Sequence, residues 1–102
     1  MLYLMLDESR GKKFAKVGYS KGGVKNRRNH YKTHNPTAIM RSSCAGSTTQ
    51  EKNCQTVLFS IGVRLKGSEW AEIPESLFNI LNEKGMGYFF PKQNPIHFIE
   101  EW

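Results

Sequence analysis

The sequence predicts an α+β domain: a small three-stranded antiparallel sheet flanked by helices, then a short strand, a helix and an aromatic tail. Three observations support this fold class. The chain has 102 residues, of which 38% are hydrophobic, so one packed domain is expected. Two apolar runs separated by a polar turn predict a hairpin. Segments with helical spacing lie on both sides of a third apolar run. We assign residues 1–85 to the core domain and residues 86–102 to the tail.

Three apolar segments predict the strands of the sheet. The run MLYLML, residues 1–6, is too short for a helix and predicts a central strand covered on both faces. After the polar turn DESRGKK, the run FAKVGYS, residues 14–20, predicts its antiparallel partner. The segment TAIMRSSCAGS, residues 37–47, predicts the third strand, and GSEWAEI, residues 67–73, predicts a further short extended piece.

Three other segments predict helices. VKNRRNHYKT has helical character, and the Asn35-Pro36 pair ends it. PESLFNILNEKG begins at Pro74, which suits a first helical turn, and ends at Gly85, which suits a C-terminal cap. Between these two, STTQEKNCQTVLFSIG carries apolar residues at helical spacing. The buried stripe that this spacing predicts consists of Cys54, Leu58 and Ile61.

The charge of the chain indicates a polyanionic partner. The formal net charge is +6, from 15 Lys and Arg against 9 Asp and Glu. Nucleic acid is the simplest such partner, although a basic protein without one fits the charge equally well. No apolar run approaches the roughly 18 residues of a membrane span, and MLYLML lacks the basic leader of a signal peptide, so we expect no membrane partner. Two cysteines give no disulfide framework, which favours a reducing, cytoplasmic location.

A glycine-rich turn leads directly into the basic helix. Gly18 ends a strand where the backbone can approach a ligand closely, although a plain turn glycine is the alternative. Arg27 and Arg28 flank the apolar face defined by Val24 and Tyr31 about equally, so periodicity does not select between them. An arginine fork suits a phosphodiester, and the alternative is a pair of solvated surface arginines. The candidate DNA-binding residues are Gly18, Lys21, Lys25, Arg28, His30, Lys32 and His34.

His30 and His34 have the i, i+4 spacing of a metal-binding pair. No Cys-x-x-Cys accompanies them, and the two cysteines are too widely spaced for a zinc finger. We therefore interpret the two histidines as part of the polar, basic face of the helix.

Glu51 is the second informative residue. It lies three residues before Cys54, so its carboxylate is expected to emerge from the buried face near the helix start. Two overlapping capping boxes compete here: Thr48 to Glu51 uses the glutamate at the helix terminus, whereas Ser47 to Gln50 leaves it free. A free carboxylate at the edge of a sheet can hold one hard divalent cation, with water completing the shell. Gln55 is expected to lie one turn further along.

Taken in order, these residues resemble the GIY-YIG endonuclease superfamily. The first strand of that family carries a tyrosine, which is Tyr3 in LYLM here. The second strand carries a Tyr-Ile-Gly element, which is KVG here, residues 16–18. A helical arginine and then a metal-binding glutamate on the next helix follow, and Glu51 matches the latter. The resemblance covers about Leu2 to Ile73 and implies a three-stranded antiparallel core with helices around it.

The phage-associated branch of the family is the most similar. It often has Lys in place of the second tyrosine, a Thr-x-Asn-Pro after the arginine helix, and a Glu-Trp after the glutamate helix. Here the last two are Thr33–Pro36 and Glu69-Trp70. Counting back from the proline in the register of this branch selects Arg27 over Arg28.

Several positions depart from the pattern of the family. Tyr19 stands just after the glycine, where many relatives have Lys, so Lys16 and Tyr19 look exchanged. Gln55 replaces a usual histidine, and Ala71 replaces a usual aromatic residue. These departures concern proton transfer more than the fold.

The resemblance implies hydrolysis of a DNA phosphodiester bond without a covalent intermediate. Glu51 would bind one Mg²⁺ or Mn²⁺, which stabilises the leaving oxygen. Arg27 would stabilise the non-bridging oxygens. Tyr3 or Tyr19 would orient or deprotonate the attacking water, with a cation such as Lys16 lowering the phenol pKa. Lys16 would alternatively contact the phosphate itself.

The same resemblance implies a phage or mobile-element origin and action in the host cytoplasm. His30 is a candidate proton relay, and one site per chain favours nicking by a monomer unless the chain forms a homodimer. A catalytically weak nucleic-acid-binding module on the same fold is the alternative function. A protein-interaction factor that uses the aromatic tail is a third.

The tail contains too many apolar groups to leave in water. We expect it to pack on its own domain, and a tail-exchanged dimer is the alternative. The apolar residues in question are Tyr88, Phe89, Phe90, Ile96, Phe98, Ile99 and Trp102.

Overall fold

The computed structural model describes residues 1–92 and 95–99 of the chain. In this part, six strands form one antiparallel sheet with the order β4-β5-β2-β1-β3-β6, and helices pack on both of its faces. The strands are β1 Leu2–Ser9, β2 Lys12–Tyr19, β3 Ala38–Cys44, β4 Val63–Arg64, β5 Ala71–Ile73 and β6 His97–Phe98. The helices are α1 Lys25–His34, α2 Thr48–Ile61, α3 Glu75–Lys84 and a 3-10 turn Gly85–Tyr88. The predicted α+β class is confirmed, but the sheet is larger than the three strands predicted for its core.

The central hairpin owes its register to a two-residue turn. Arg10 and Gly11 connect β1 to β2, and both have positive φ, 53° and 75°. Turns of this kind match the right-handed twist of the flanking strands and fix their pairing. Both strands are longer than the apolar runs predicted, because pairing continues outward through the polar residues of the turn, including an ion pair between Lys13 and Glu8.

β1 lies between β2 and β3, and its residues Leu2–Leu6 are all buried, as predicted for a central strand. Side chains alternate along the strand and so divide the core into two clusters. On one side, which we call the α2 face, Leu2, Leu4 and Leu6 pack against α2 and α3. On the other side, which we call the α1 face, Tyr3 and Met5 are buried. Their partners there are Ala38, Met40, Val24, Tyr31, Trp70 and Ile99.

The additional strands are short. β4 and β6 contain two residues each, so neither has a periodic pattern that a sequence could display. β4 pairs with β5 at one edge of the sheet, and β6 pairs with β3 at the other.

The predicted stripe of α2 is correct for Cys54 and Leu58, which are buried, but wrong for Ile61, which is 44% exposed. Ile61 is the last helical residue, beyond the turn of α2 that Leu58 anchors on the sheet.

The described part of the tail contacts both faces of the sheet. Met86 is fully buried, and its backbone N–H donates a 3.0 Å hydrogen bond to Ser42 Oγ. Ile99 donates its N–H to the Arg41 carbonyl at 3.1 Å. Tyr88, Phe89, Phe90 and Ile96 pack against the α2-face cluster. Trp102, which also entered the prediction, lies outside the described residues.

Within the described ranges, none of the helices combines the length and the apolarity that crossing a bilayer requires.

Candidate active site

The site is built around Tyr3, a tyrosine buried at the centre of the sheet. Its side chain is 2% exposed, and its cross-strand neighbours are Gly18 on β2 and Ser43 on β3. A methyl group at Gly18 would lie 2.7 Å from Tyr3 Cε2 and closer still to Cζ and the hydroxyl oxygen. Gly18 is itself buried, so its missing side chain makes room for the phenol. The sequence analysis assigned this glycine to DNA contact, whereas the structure places it beneath Tyr3.

Burial keeps the Tyr3 phenol in its neutral form. Desolvation is the largest cause that raises the pKa of Tyr3 well above its usual range, and the hydrogen bond to Tyr31 adds to it. The nearby Glu51 carboxylate raises this pKa further, whereas the Arg27 guanidinium lowers it. The two tyrosine rings meet edge to face, with centroids 6.3 Å apart. A phenol in this environment holds its proton at neutral pH and can serve as a hydrogen-bond donor.

Lys16 lies on the α1 face of the sheet, as Tyr3 does, and is two residues before Gly18 along β2. Its ammonium donates a 2.7 Å hydrogen bond to the Tyr31 hydroxyl and lies 3.4 Å from Glu69 Oε2. The side chain of Lys16 is only 15% exposed, so these two partners satisfy a cation that is largely removed from water. The sequence analysis expected Lys16 to act on a catalytic phenol, and the phenol that it contacts is Tyr31.

Glu51 is not used to cap its helix. Ser47 is the N-cap: its backbone N–H donates to Gln50 Oε1 at 2.9 Å, and its hydroxyl accepts from the Gln50 N–H at 3.3 Å. This decides between the two capping boxes that the sequence allows and leaves the Glu51 carboxylate free for other contacts. The backbone N–H of Tyr19 donates a hydrogen bond to it.

The carboxylate of Glu51 is in an environment that a cation would stabilise. Burial raises its pKa, and the neighbouring Glu69 carboxylate raises it further. Lys16, Lys52 and the Tyr19 N–H act in the opposite direction. A half-buried carboxylate beside a second one is a donor set that suits a hard divalent cation. Within residues 1–92 and 95–99, however, no three His, Cys, Asp or Glu side chains come together as a metal-binding group. Water and a bound phosphate would therefore have to supply the other ligands.

Glu51 is held in place because α2 covers an open stretch of strand edge. β5 pairs with Lys13–Ala15 of β2, and among the described residues no strand neighbours the remainder of β2 on that side. Gln55 Nε2 donates a 3.2 Å hydrogen bond to the Val17 carbonyl, one turn after Glu51 accepts from Tyr19. Two side chains of α2 at i and i+4 thus take the place of a strand, and this brings Glu51 to the end of β2.

The two arginines of α1 differ in position. Arg27 is exposed, and its charge acts on the Tyr3 hydroxyl. Arg28 is half-buried. Of these two, Arg27 is the one whose charge lowers the pKa of Tyr3. The remaining predicted DNA-binding side chains of this segment are all exposed; they are Lys21, Lys25, His30, Lys32 and His34.

His30 and His34 stack with ring centroids 4.6 Å apart, and His30 also meets the Tyr31 ring edge to face at 5.7 Å. Both histidines lie on the exposed side of α1. His30 therefore adjoins the network of tyrosines through Tyr31 and not through Tyr3.

Tyr19 is separated from this group. Its side chain packs against the α2-face cluster, opposite the face on which Tyr3 lies, and only its backbone amide reaches Glu51. Two residues that the sequence analysis did not place in the site are brought into it: Tyr31 and Glu69. The Glu69-Trp70 pair was noticed as part of a resemblance, but only the fold reveals that its carboxylate faces Lys16.

Comparison of the chain with protein-family models, with curated proteins and with solved structures finds no match. The likeness to the GIY-YIG superfamily thus rests on the residues of this chain, and the functional argument rests on the geometry of the site.

Proposed function

We propose that the protein is a metal-dependent DNA endonuclease of the GIY-YIG type, which hydrolyses a phosphodiester bond. The observation that carries the proposal is the convergence of a guanidinium and a carboxylate on one buried phenol. Arg27 and Glu51 belong to different helices, yet the charges of both act on the Tyr3 hydroxyl. Groups with such opposed charges around a neutral hydroxyl are typical of sites that bind and polarise a phosphate.

In the proposed mechanism Tyr3 positions the attacking water, and the proton of that water passes to a phosphate oxygen or to solvent. Burial raises the pKa of Tyr3, so the phenol is a poor base at neutral pH; its proton is engaged by Tyr31, and its oxygen positions the water by accepting a hydrogen bond from it. Arg27 reaches this point from the exposed side of α1 and neutralises the charge that develops on the non-bridging oxygens. Of the two tyrosines that the sequence analysis proposed for the water, we assign the role to Tyr3, because the Tyr19 ring lies on the other face of the sheet.

Glu51, with Glu69 nearby, would hold the Mg²⁺ or Mn²⁺ ion that this chemistry requires. Such an ion would stabilise charge on the leaving oxygen and on the phosphorane. Lys16 forms an ion pair with Glu69 and its charge lowers the pKa of Glu51, so we propose that its ammonium contacts a phosphate once DNA enters. A phosphate oxygen and the Glu69 carboxylate are both anions, so either can pair with the lysine.

The test is nicking of supercoiled plasmid with Mg²⁺, with Mn²⁺ and with a chelator. We expect cleavage only with metal, and we expect Glu51→Gln to abolish it while the circular dichroism spectrum is unchanged. Glu83→Gln is the matched control, because Glu83 is an exposed glutamate of α3 away from the site. Cleavage by the Glu51 variant at the wild-type rate, or no cleavage with any metal, overturns the proposal.

A catalytically weak DNA-binding module is the second candidate function. It is favoured by Gln55, which is bonded to the Val17 carbonyl and lies where related nucleases are expected to have a histidine. This reading predicts DNA affinity that falls steeply with salt concentration and no nicking under any condition.

A further inference from the structure

A second pocket lies on the α1 face, beyond Lys16 along β2. Its volume is about 290 Å³, and its lining combines polar and aromatic groups. The residues that line it are Asp7, Ser9, Phe14, Asn35, Leu65 and Trp70. Asp7 and Ser9 are alternate residues of β1 and therefore point to the same side, and Phe14 is the cross-strand neighbour of Asp7.

Asp7, which lines the pocket, has a carboxylate oxygen that lacks a hydrogen-bond donor. Asp7 Oδ1 is buried, and no group in the described part of the chain donates to it. An oxygen removed from water without a compensating donor is unfavourable, so groups of this kind are rare unless a ligand completes them. An ionised aspartate is a pure acceptor, and the group that it lacks must therefore carry N–H or O–H.

The walls of the pocket favour a flat ligand. Trp70 and Phe14 present aromatic rings, and Leu65 adds an apolar side chain. Trp70 is half-buried in the α1-face cluster and directly follows Glu69, which contacts Lys16. Phe14 and Lys16 are two residues apart on one face of β2, which corresponds to about 6.6 Å along a strand. The pocket thus adjoins the proposed phosphate-binding residues.

We propose that this pocket binds a nucleobase turned out of a DNA strand whose phosphate lies at Lys16. The inference rests on the proposed function in that DNA is the ligand. The base stacks on Trp70, and an N–H group of its Watson–Crick edge donates to Asp7, as proteins that bind extruded bases commonly combine stacking with contacts to the base edge. Each of the four bases carries such an N–H group, thymine at N3, whereas an abasic site carries none.

The experiment measures binding in a chelator, so that it does not depend on catalysis. Fluorescence anisotropy compares duplexes carrying one unpaired A, C, G or T with the same duplex carrying an abasic site at that position. Wild-type protein is expected to bind the four base-bearing duplexes about tenfold or more tightly than the abasic one, since one well-placed base contact discriminates by that order.

Variants identify the residues responsible. Asp7→Ala and Trp70→Leu are each expected to reduce the preference for base-bearing duplexes over the abasic one, because the first removes the acceptor and the second removes the stacking surface. Glu8→Ala is the control, because it removes the same charge from the neighbouring, exposed residue of β1 and leaves the pocket intact. Melting curves check that each variant folds; Asp7→Ala removes an oxygen that no described group satisfies and is expected to remain folded.

Equal affinity of the wild-type protein for base-bearing and abasic duplexes overturns the inference, as does an Asp7→Ala variant with full base preference. Nicking activity together with equal affinities leaves the endonuclease proposal standing and refutes the base pocket. Base-dependent binding without nicking in any metal supports the base pocket and refutes the endonuclease proposal.

Discussion

Gly18→Ala is expected to destabilise the protein through one contact, that with the Tyr3 ring. The added methyl group would lie 2.7 Å from Cε2 and closer to Cζ and the hydroxyl oxygen, and the ring is 2% exposed and so has little room to move. Overpacking of this kind costs about 1–3 kcal/mol. In a domain of this size, each kcal/mol lowers the melting temperature by about 4–8 °C. Gly22→Ala is the matched control, because nothing lies within 4 Å of a methyl group there.

The partner of the clash can be identified in double variants. Of the three atoms that meet the new methyl group, the ring atoms Cζ and Cε2 are retained by Phe, whereas Leu lacks all three. In a Tyr3→Phe background, Gly18→Ala should therefore remain destabilising. In a Tyr3→Leu background Gly18→Ala should instead stabilise the protein, since Ala is favoured over Gly inside a strand by about 0.5–1 kcal/mol. The expected coupling between the two sites is thus at least about 1.5 kcal/mol.

Chemical denaturation with urea measures these differences, and plasmid nicking measures their effect on activity. We expect Gly18→Ala to reduce nicking as well, because the displaced phenol would no longer have the position at which the charges of Arg27 and Glu51 act on it. A Gly18→Ala variant as stable as Gly22→Ala, or one with the same penalty in both Tyr3 backgrounds, would refute the packing argument.

The remaining predictions concern catalysis, pH dependence, thiol reactivity and the tail. Arg27→Ala should lower the nicking rate far more than Arg28→Ala, because the Arg27 charge acts on the buried phenol; equal losses of kcat contradict this. Since the pKa of Glu51 is raised, the folded state holds the proton of this carboxyl group more tightly than the unfolded chain does. The stability of the wild-type protein should therefore fall as the pH rises from the ordinary glutamate range through that raised pKa. Calorimetry should show no such fall for Glu51→Gln. Burial raises the pKa of Cys54 to about 12, so this thiol should react with a disulfide reagent only on unfolding, and rapid reaction of the native protein contradicts its burial. Deletion of residues 93–102 should lower the melting temperature at every protein concentration, because it removes β6; a melting temperature of the full-length chain that rises strongly with concentration indicates tail exchange instead.

The parts of the fold that could be predicted are those with a long pattern. β1 has five consecutive buried residues, and the predicted hairpin, helices and third strand all have a run of residues whose spacing is informative. β4 and β6 have two residues each and exist because longer strands beside them offer free hydrogen-bonding edges. Ile61 illustrates the same limit, since helical spacing gives the direction of a side chain but not where the sheet beneath it ends.

The candidate site was predictable where a local pattern fixes geometry. The spacing of Glu51 before Cys54 predicted a carboxylate near the buried face, and the structure places it half-buried beside β2. Tyr31 and Glu69 escaped the sequence analysis because their roles depend on meeting Lys16, a tertiary contact that no local spacing encodes. The face occupied by Tyr19 depends on strand register, which is fixed by the Arg10-Gly11 turn at the far end of the hairpin.

On the open part of β2, hydrogen bonds to Glu51 and Gln55 take the place of strand pairing, and this also bears on aggregation. Exposed strand edges recruit other chains and start aggregation. Here the Val17 carbonyl and the Tyr19 N–H, which an incoming strand would need, are already taken by side chains. Glu51→Ala is therefore expected to expose this strand edge as well as to remove the proposed metal ligand. Glu51→Gln is the better variant for testing DNA binding, because glutamine can still accept from that amide.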